Sequence, residues 1–273
     1  MPHVRVGEQE LHYERRGEGP PLLLIQGMSG THVAWGEPLR SALEREFDVV
    51  AFDNRGIGLS GPVEGPFTIG EMAADTAELM DELGMESAHV LAISMGGMIA
   101  QELALAEPDR LRTLTLGCTY CGGPGSELMP ADNAQKLLTA MSSGDREQAI
   151  RASWEVNLSP GFRAEDEEGR YDAFRKMALA VPAARQTIQL QMQAILDHDT
   201  SSRLGNVKAP TLVVHGDADG VLPVENGHLI ASLMPGARLE ILPGVGHMFW
   251  WEQPERAAGL VREHALGGAP AAA

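Results

Sequence analysis

Positive charge is scarce in this chain of 273 residues. Only 21 Lys and Arg stand against 38 Asp and Glu, which gives a formal net charge of −17 at pH 7. Nucleic-acid binders normally present a basic surface, because contacts with phosphates supply much of their affinity. The charge balance therefore argues against DNA, RNA and anionic membranes as partners. The acidic run Glu165–Glu168 is interpreted as a solvated loop or the start of a helix.

Long apolar runs are also missing. No run approaches the roughly 20 residues that an apolar helix needs to span a bilayer. The N-terminal sequence MPHVRVGEQE lacks the charged start and apolar stretch of a signal peptide. We therefore expect no membrane insertion and a cytoplasmic location.

The chain has only two cysteines, Cys118 and Cys121, spaced as a CxxC pair. A zinc site needs four ligands, and no second pair or histidine cluster stands nearby in the sequence. A redox CxxC opens a helix, whereas this one is followed by Gly122-Gly123-Pro124. We interpret both as ordinary thiols at the end of a strand, and no metal and no cofactor is predicted.

Short apolar runs alternate with helical patterns over most of the chain. This alternation predicts an α/β fold with a mostly parallel central sheet and helices on both faces. The predicted strands lie at 11–13, 20–27, 47–53, 88–93, 111–117, 210–217 and 238–242, and the predicted core helices at 35–46, 72–83, 95–106, 224–234 and 254–265.

Strand signals stop between residues 122 and 204. Helix-like segments take their place at 132–142, 145–156, 170–180 and 183–197. We interpret residues 122–204 as a helical cap, inserted above the carboxyl ends of the strands where such sheets bind ligands. Residues 1–121 and 205–273 would then form the core, with a disordered tail from about residue 267.

The stretch AISMGGMIA places Ser94 between a predicted strand and a predicted helix. At such a sharp turn the residues two before and two after the serine nearly touch, so both must be small. Ala92 and Gly96 meet this requirement, and Gly97 lets the helix pack closely. The backbone N–H of Met95 at the helix start would point at an oxyanion formed beside Ser94.

A serine nucleophile needs a base, and the base needs an orienting carboxylate. Later strand ends offer both: Asp217 and Asp219 follow one predicted strand, and His247 lies in a glycine-lined turn after the next. The order serine, aspartate, histidine is the one expected for this architecture.

The motifs SMGGMIAQ, FDNRGIGLS, HGDADGVLP and GVGHMFWWEQPE together resemble the α/β-hydrolase superfamily, in particular its serine esterases and enol-lactonases. The resemblance implies that Ser94 is the nucleophile and His247 the general base. It implies that Asp219, three residues after Gly216, is the acid, with Asp217 as a minor candidate.

The resemblance also implies a second oxyanion donor in the loop after the strand LLLIQG. Relatives usually have His-Gly there, whereas this chain has Gln26-Gly27. The backbone N–H of Met28 falls at the matching donor position. The nucleophile turn also departs from the pattern, with Ala92 in place of the usual first glycine.

Other polar residues are interpreted as structural. The cluster Asp53-Asn54-Arg55 resembles a loop network, and His215 is taken as structural despite its nearness to Asp219. Six further histidines have no partner by pattern, namely His12, His32, His89, His198, His228 and His264.

An apolar, adaptable substrate pocket is predicted beside the site. The residues proposed for it are Gly27, Ile93, Met248, Trp250 and Trp154. Trp154, Phe162, Phe174 and Met177 either face this pocket or hold the helical segment together, and the sequence does not decide between the two.

These observations predict a serine hydrolase that cleaves carboxylic esters through an acyl-enzyme, acting on a small-molecule ester or lactone. An enol-lactonase is the nearest alternative, because FTIGEMAADTAELMDELG also resembles those enzymes. A perhydrolase of the non-haem haloperoxidase type, a cofactor-free dioxygenase and a non-enzymatic receptor on this fold stay open. The sequence indicates neither the acyl and alcohol groups nor the oligomeric state.

Overall fold

Eight strands form one sheet in the computed structural model, which describes residues 2–181 and 183–267. The strands are β1 His3–Val6, β2 Gln9–Arg16, β3 Pro21–Ile25, β4 Asp48–Phe52, β5 Ala88–Ile93, β6 Leu111–Gly117, β7 Thr211–Gly216 and β8 Arg238–Leu242. Their order in the sheet is β1-β2-β4-β3-β5-β6-β7-β8. All neighbouring pairs are parallel except β1–β2 and β2–β4, so the predicted mostly parallel sheet is confirmed.

Helices cover both faces of the sheet, as the alternating pattern predicted. None in the described ranges is long and apolar enough to cross a membrane. The helices are α1 Glu37–Leu43, α2 Ile69–Glu82, α3 Met95–Ala106, α4 Ala131–Ser142, α5 Arg146–Asn157, α6 Pro160–Glu165, α7 Glu167–Ala180, α8 Arg185–Leu196, α9 Glu225–Leu233, α10 Phe249–Glu252 and α11 Pro254–Leu266.

Two apolar layers hold these helices on the sheet. Strand β3 shows how, because successive side chains of a strand point to opposite faces. Leu22 and Leu24 join the layer that contains α1 and α11, whereas Leu23 and Ile25 join the layer with α2 and α3. Both faces of the central strands are therefore buried. The polar residues that follow these strands lie where the strands end.

Helix α2 begins with a capping box. The Thr68 side chain accepts a hydrogen bond from the Glu71 backbone N–H, and the Glu71 carboxylate accepts one from the Thr68 N–H. This pair satisfies two donors that a helix start otherwise leaves free. Gly84 follows the helix with a φ of +67°, a left-handed conformation that favours glycine, and ends it.

The stretch between β6 and β7 contains helices α4 to α8 and, among its described residues, no strand. Trp154 of α5 lies at its centre, with ring centroids 5.4–6.3 Å from those of Phe162, Tyr171 and Phe174. Edge-on aromatic contacts of this kind bind neighbouring helices together. The acidic run at Glu165–Glu168 crosses from α6 to the exposed first turn of α7.

Some element boundaries differ from the predictions. Strand β1 and helices α6 and α10 were not predicted, and all three are too short to show a clear period. The predicted helix 35–46 is shorter, because a 3-10 turn at His32–Trp35 and Gly36 precede α1. The predicted disordered tail lies, from residue 268 onward, outside the described residues.

Candidate active site

Ser94 sits between β5 and α3 in a strained conformation. Its φ of +53° and ψ of −126° are unusual for a residue with a side chain. The backbone N–H of Ser94 donates to the Gly117 carbonyl at 2.9 Å, which fixes the turn to the neighbouring strand β6. Ser94 is partly exposed although the residues on either side of it are buried.

Close backbone approach explains the glycines after Ser94. A Cβ added to Gly96 would lie 2.2 Å from the Ile25 carbonyl oxygen, and one added to Gly97 would lie 2.5 Å from the Thr119 side chain. Only glycine fits such contacts. The first turn of α3 therefore packs directly on the ends of β3 and β6, as expected for a serine held at a sharp turn.

A carboxylate and an imidazole meet at the neighbouring strand ends. Asp219, after β7, and His247, after β8, form a hydrogen bond of 2.7 Å between Oδ2 and Nδ1. The other carboxylate oxygen accepts the N–H groups of Val221 at 2.7 Å and Leu222 at 2.9 Å. The Asp219 side chain has no exposed surface and that of His247 is 5% exposed, so the pair is shielded from water.

Asp217 takes a different position. It is exposed, and its carboxylate accepts the Gly244 N–H at 2.6 Å, bracing the turn that follows β8. Of the two aspartates considered for the acid, Asp219 is the one that lies against His247.

Opposing effects act on the pKa of Asp219. Burial opposes ionisation, but electrostatic attraction to His247 and hydrogen bonds from His215 and His247 outweigh it and hold the pKa of Asp219 well below its usual range. The Nε2 atom of His215 lies 3.2 Å from Asp219 Oδ2 and 3.0 Å from the Leu222 carbonyl oxygen. Asp219 is thus an ionised carboxylate between two histidines.

Ser94 and the Asp219–His247 pair lie at the same edge of the sheet, because they follow strands in the run β5-β6-β7-β8, whose neighbouring pairs are all parallel. Cys118 follows β6 and lies between Ser94 and the Asp219–His247 pair. Burial and the charge of Asp219 raise the pKa of the Cys118 thiol, and the thiol also contacts the Ser94 backbone. Within the described residues the Ser94 hydroxyl makes no hydrogen bond to His247. Serine–histidine bonds are often long or poorly aligned without substrate.

Known proteins resemble this chain over most of its length. A family model described as the alpha/beta hydrolase fold matches residues 20–254. The chain belongs to the α/β-hydrolase family.

Three individual relatives illustrate the range of this family. A protein of Azorhizobium caulinodans, provisionally named as the carbamate hydrolase RutD, is 33% identical over 91% of this chain and 92% of its own length. A poly(3-hydroxyalkanoate) depolymerase of Ectopseudomonas oleovorans is 29% identical over 88% of this chain and 82% of its own. A thermophilic esterase from Thermogutta terrifontis superposes with a TM-score of 0.81 at 26% identity, covering 99% and 100% of the two chains. The chain is thus related to hydrolases.

The loop after β3 of this α/β hydrolase passes close to Ser94. A Cβ added to Gly27 would lie 2.9 Å from Ser94 Cβ and 3.4 Å from its hydroxyl oxygen. Met28 follows Gly27, and Met95 begins α3 beside Ser94. The N–H groups at these two positions are the predicted oxyanion donors, and the loop and helix start that carry them both border Ser94.

Side chains on both sides brace this loop. The Gln26 side chain accepts the Gly27 N–H at 3.1 Å, and Gln191 of α8 accepts the Ser29 N–H at 2.8 Å. The Gln26 carbonyl accepts the Asn54 side chain at 3.1 Å. Gln191 is fully buried and lies 162 residues from Ser29, so no local pattern indicates this contact.

The residues predicted for the pocket are packed inside the hydrolase. Trp250 donates from its ring N–H to the Ala34 carbonyl at 3.0 Å and lies against Trp35. Trp154 was considered either for the pocket or for holding the helical segment together. It has no exposed surface, and its aromatic neighbours favour the second role. Gly27, Ile93 and Met248 are buried. Gly27 approaches Ser94 in space, and Ile93 and Met248 are the chain neighbours of Ser94 and His247. Their role in substrate binding stays a prediction.

The structural interpretation of Asp53 agrees with its contacts. Its carboxylate accepts the backbone N–H of His32 at 2.6 Å and of Leu59 at 2.9 Å, and contacts the His32 ring at 2.9 Å. Arg55 pairs with Asp75 at 2.6 Å. His12 and His32, which have no partner by pattern, lie together here with ring centroids 4.6 Å apart.

Proposed function

We propose that this α/β hydrolase cleaves carboxylic esters through an acyl-enzyme formed on Ser94. The observation that carries the proposal is the 2.7 Å bond between Asp219 and His247 at the sheet edge where Ser94 occupies its strained turn. A serine, a buried carboxylate and a histidine in this chain order are the arrangement expected of a catalytic triad on this fold.

Each residue has a distinct role in the proposed reaction. The Ser94 oxygen attacks the ester carbonyl while His247 Nε2 takes the hydroxyl proton. Asp219 holds the Nδ1–H tautomer of His247 and stabilises the positive charge that forms on the ring. The N–H groups of Met28 and Met95 bind the oxyanion of the tetrahedral intermediate.

The intermediate then collapses. The bond between the carbonyl carbon and the alcohol oxygen breaks, and His247 returns its proton to the leaving alcohol. Water, activated by the same histidine, attacks the acyl-Ser94 ester and releases the carboxylic acid. The hydrogen bond between Ser94 and His247 is expected to form when substrate fills the site.

The named relatives support acyl transfer, but they differ in the group that the reaction releases. A carbamate hydrolase, a poly(3-hydroxyalkanoate) depolymerase and an esterase are all similar to this chain. Carbamate cleavage is the second candidate, because the first of these relatives covers nearly the whole chain at 33% identity. The same serine, base and oxyanion donors would serve both reactions.

A substrate panel tests the proposal. The purified protein is assayed with p-nitrophenyl esters of rising acyl length, an aliphatic lactone, an enol-lactone and an N-unsubstituted carbamate ester, with S94A as the baseline. We expect the highest kcat/KM on one of the open-chain esters and S94A at background. A peracid-forming reaction is checked by acetate-dependent bromination in peroxide.

The outcomes separate the candidates. A preference for a lactone, for the carbamate or for bromination assigns the site to that chemistry instead. Turnover that S94A retains in full removes Ser94 from the mechanism. A wild-type protein with no turnover on any member of the panel counts against the ester proposal.

A further inference from the structure

A second histidine–aspartate cluster lies away from Ser94. Asp53 follows β4, His32 lies in the 3-10 turn after the β3 loop, and His12 lies in β2. One ligand atom of each residue lies within 4.8 Å of those of the other two, and all three residues are buried. Two imidazoles and a carboxylate are ligands that zinc and similar metals prefer.

His12 is the observation that points to a ligand. Its side chain has no exposed surface, and neither ring nitrogen has a hydrogen-bond partner of good geometry. Its ring lies between His3, at 5.1 Å, and His32, at 4.6 Å between centroids. Buried polar groups are nearly always bonded, so a buried ring whose two nitrogens make no hydrogen bond of good geometry calls for an explanation.

A buried carboxylate adjoins the two imidazoles. Asp53 Oδ1 lies 2.9 Å from His32 Nδ1, and the Asp53 side chain has no exposed surface. Buried carboxylates are paired with cationic groups or coordinate metals, so this arrangement favours a bound cation.

A glutamate borders the cluster. Glu14 Oε1 lies 3.9 Å from His32 Nε2, whereas Glu14 Oε2 is held by Arg40 at 2.6 Å and Arg16 at 3.1 Å. Asp53 contacts the opposite ring nitrogen, Nδ1, so Glu14 lies outside the set of three ligands. The Glu14 side chain is 25% exposed and gives the cluster a connection to solvent.

We infer that His12, His32 and Asp53 form a binding site for a divalent transition-metal ion such as Zn²⁺. Tetrahedral zinc places its ligand atoms about 3.4 Å apart, so the present spread of up to 4.8 Å requires a small contraction. The ion would join β2, β4 and the loop after β3, and so brace the elements that carry Gln26 and Asn54. This inference does not depend on the proposed function.

Metal titration tests the site. Tag-free full-length protein is stripped with a chelator and titrated with Zn²⁺ by calorimetry, and with Co²⁺ by visible absorption. We expect one ion per chain in the wild type, and an affinity at least tenfold lower in H12Q and in H32Q. The controls are H247Q, which removes the histidine next to Asp219, and H228Q, which removes an exposed histidine of α9. Both controls are expected to bind like the wild type.

Anomalous scattering from zinc-soaked wild-type crystals gives an independent readout that needs no variant to fold. An ion between His12, His32 and Asp53 supports the site. The inference is overturned if wild-type protein shows no saturable binding. It is also overturned if H12Q and H32Q, folded by circular dichroism, bind like the wild type, if H247Q alone loses binding, or if the anomalous signal lies elsewhere.

Discussion

The molecule contains two histidine–aspartate pairs that look alike at close range. In each pair a fully buried aspartate follows a strand, accepts two backbone N–H groups and contacts a histidine ring at 2.7 or 2.9 Å. A second histidine stands near each: His215 beside Asp219, and His12 in the Asp53 cluster.

Their surroundings differ. His247 belongs to the sheet edge where Ser94 occupies a strained turn beside the Gly27 loop, whereas His32 faces His12 and Glu14. A buried histidine–aspartate pair is therefore no sign of catalysis by itself. What gives the Asp219 pair its proposed role is the nucleophile and the oxyanion donors placed beside it.

The largest effect is expected from breaking the Asp219 pair. D219N keeps the shape of the side chain but favours the wrong tautomer of His247, and kcat on the best ester should fall about 10⁴-fold. The measurement is steady-state kinetics on folded protein. D217N is the matched control, since Asp217 braces a turn and is exposed. A normal D219N enzyme with a crippled D217N would reverse the assignment of the acid.

The second-largest loss of activity is expected from changing the loop that lies against Ser94, a feature that only the Asp219 site has beside it. In G27A the new Cβ would meet Ser94 Cβ at 2.9 Å, so the loop must shift and the Met28 donor moves away. We expect kcat to fall by about 10²–10³, the usual loss for one oxyanion donor. G259A is the control, because a Cβ there meets nothing within 4 Å. Full activity in G27A would contradict the placement of the oxyanion hole.

Breaking the Asp53 pair should lower the stability of the fold more than the activity. In D53N an amide replaces an oxygen that now accepts buried N–H donors, which should lower the free energy of unfolding by about 1–3 kcal/mol. The activity of the folded protein should fall less than tenfold. Chemical denaturation and ester kinetics on one preparation measure both. An activity loss as large as that of D219N would contradict the assignment of the Asp219 pair to catalysis and of the Asp53 pair to structure.

The smallest effect concerns acid stability. The pKa of Asp219 is lower in the folded chain than its usual value of about 3.9, so the unfolded chain binds the proton more readily. Its stabilising contribution is fully present above that value and is lost only as pH falls further. The gap in unfolding free energy between wild type and D219N should not narrow from pH 7 to 5, and should narrow only as the pH falls toward and below 4. If the difference in unfolding free energy between wild type and D219N has disappeared by pH 5, the lowered pKa of Asp219 is contradicted.

Much of the site was predictable because its signals are local. Ala92, Gly96 and Gly97 surround Ser94 in the sequence, and their spacing reports directly on the sharp turn that the backbone makes. The sheet was predictable for a similar reason, since β3 to β8 are short apolar runs separated by turn residues or helices.

The contacts that the sequence did not indicate join distant elements. Gln191 reaches Ser29 across the helical segment, and no periodicity reports on such a meeting. The His12–His32 contact depends on how the antiparallel strand β2 is aligned beside β4, where the His12 carbonyl accepts the Asp53 N–H. Register of this kind is set by the packing of the whole sheet. His215 could have been found only through its position four residues before Asp219.

Fluorophosphonate labelling followed by peptide mass spectrometry tests the central claim most directly, since it reports which serine hydroxyl is activated. The account predicts a single adduct on the peptide that contains Ser94, much slower labelling in H247Q and none in S94A. An adduct on another residue, or equal labelling rates in wild type and H247Q, would contradict it.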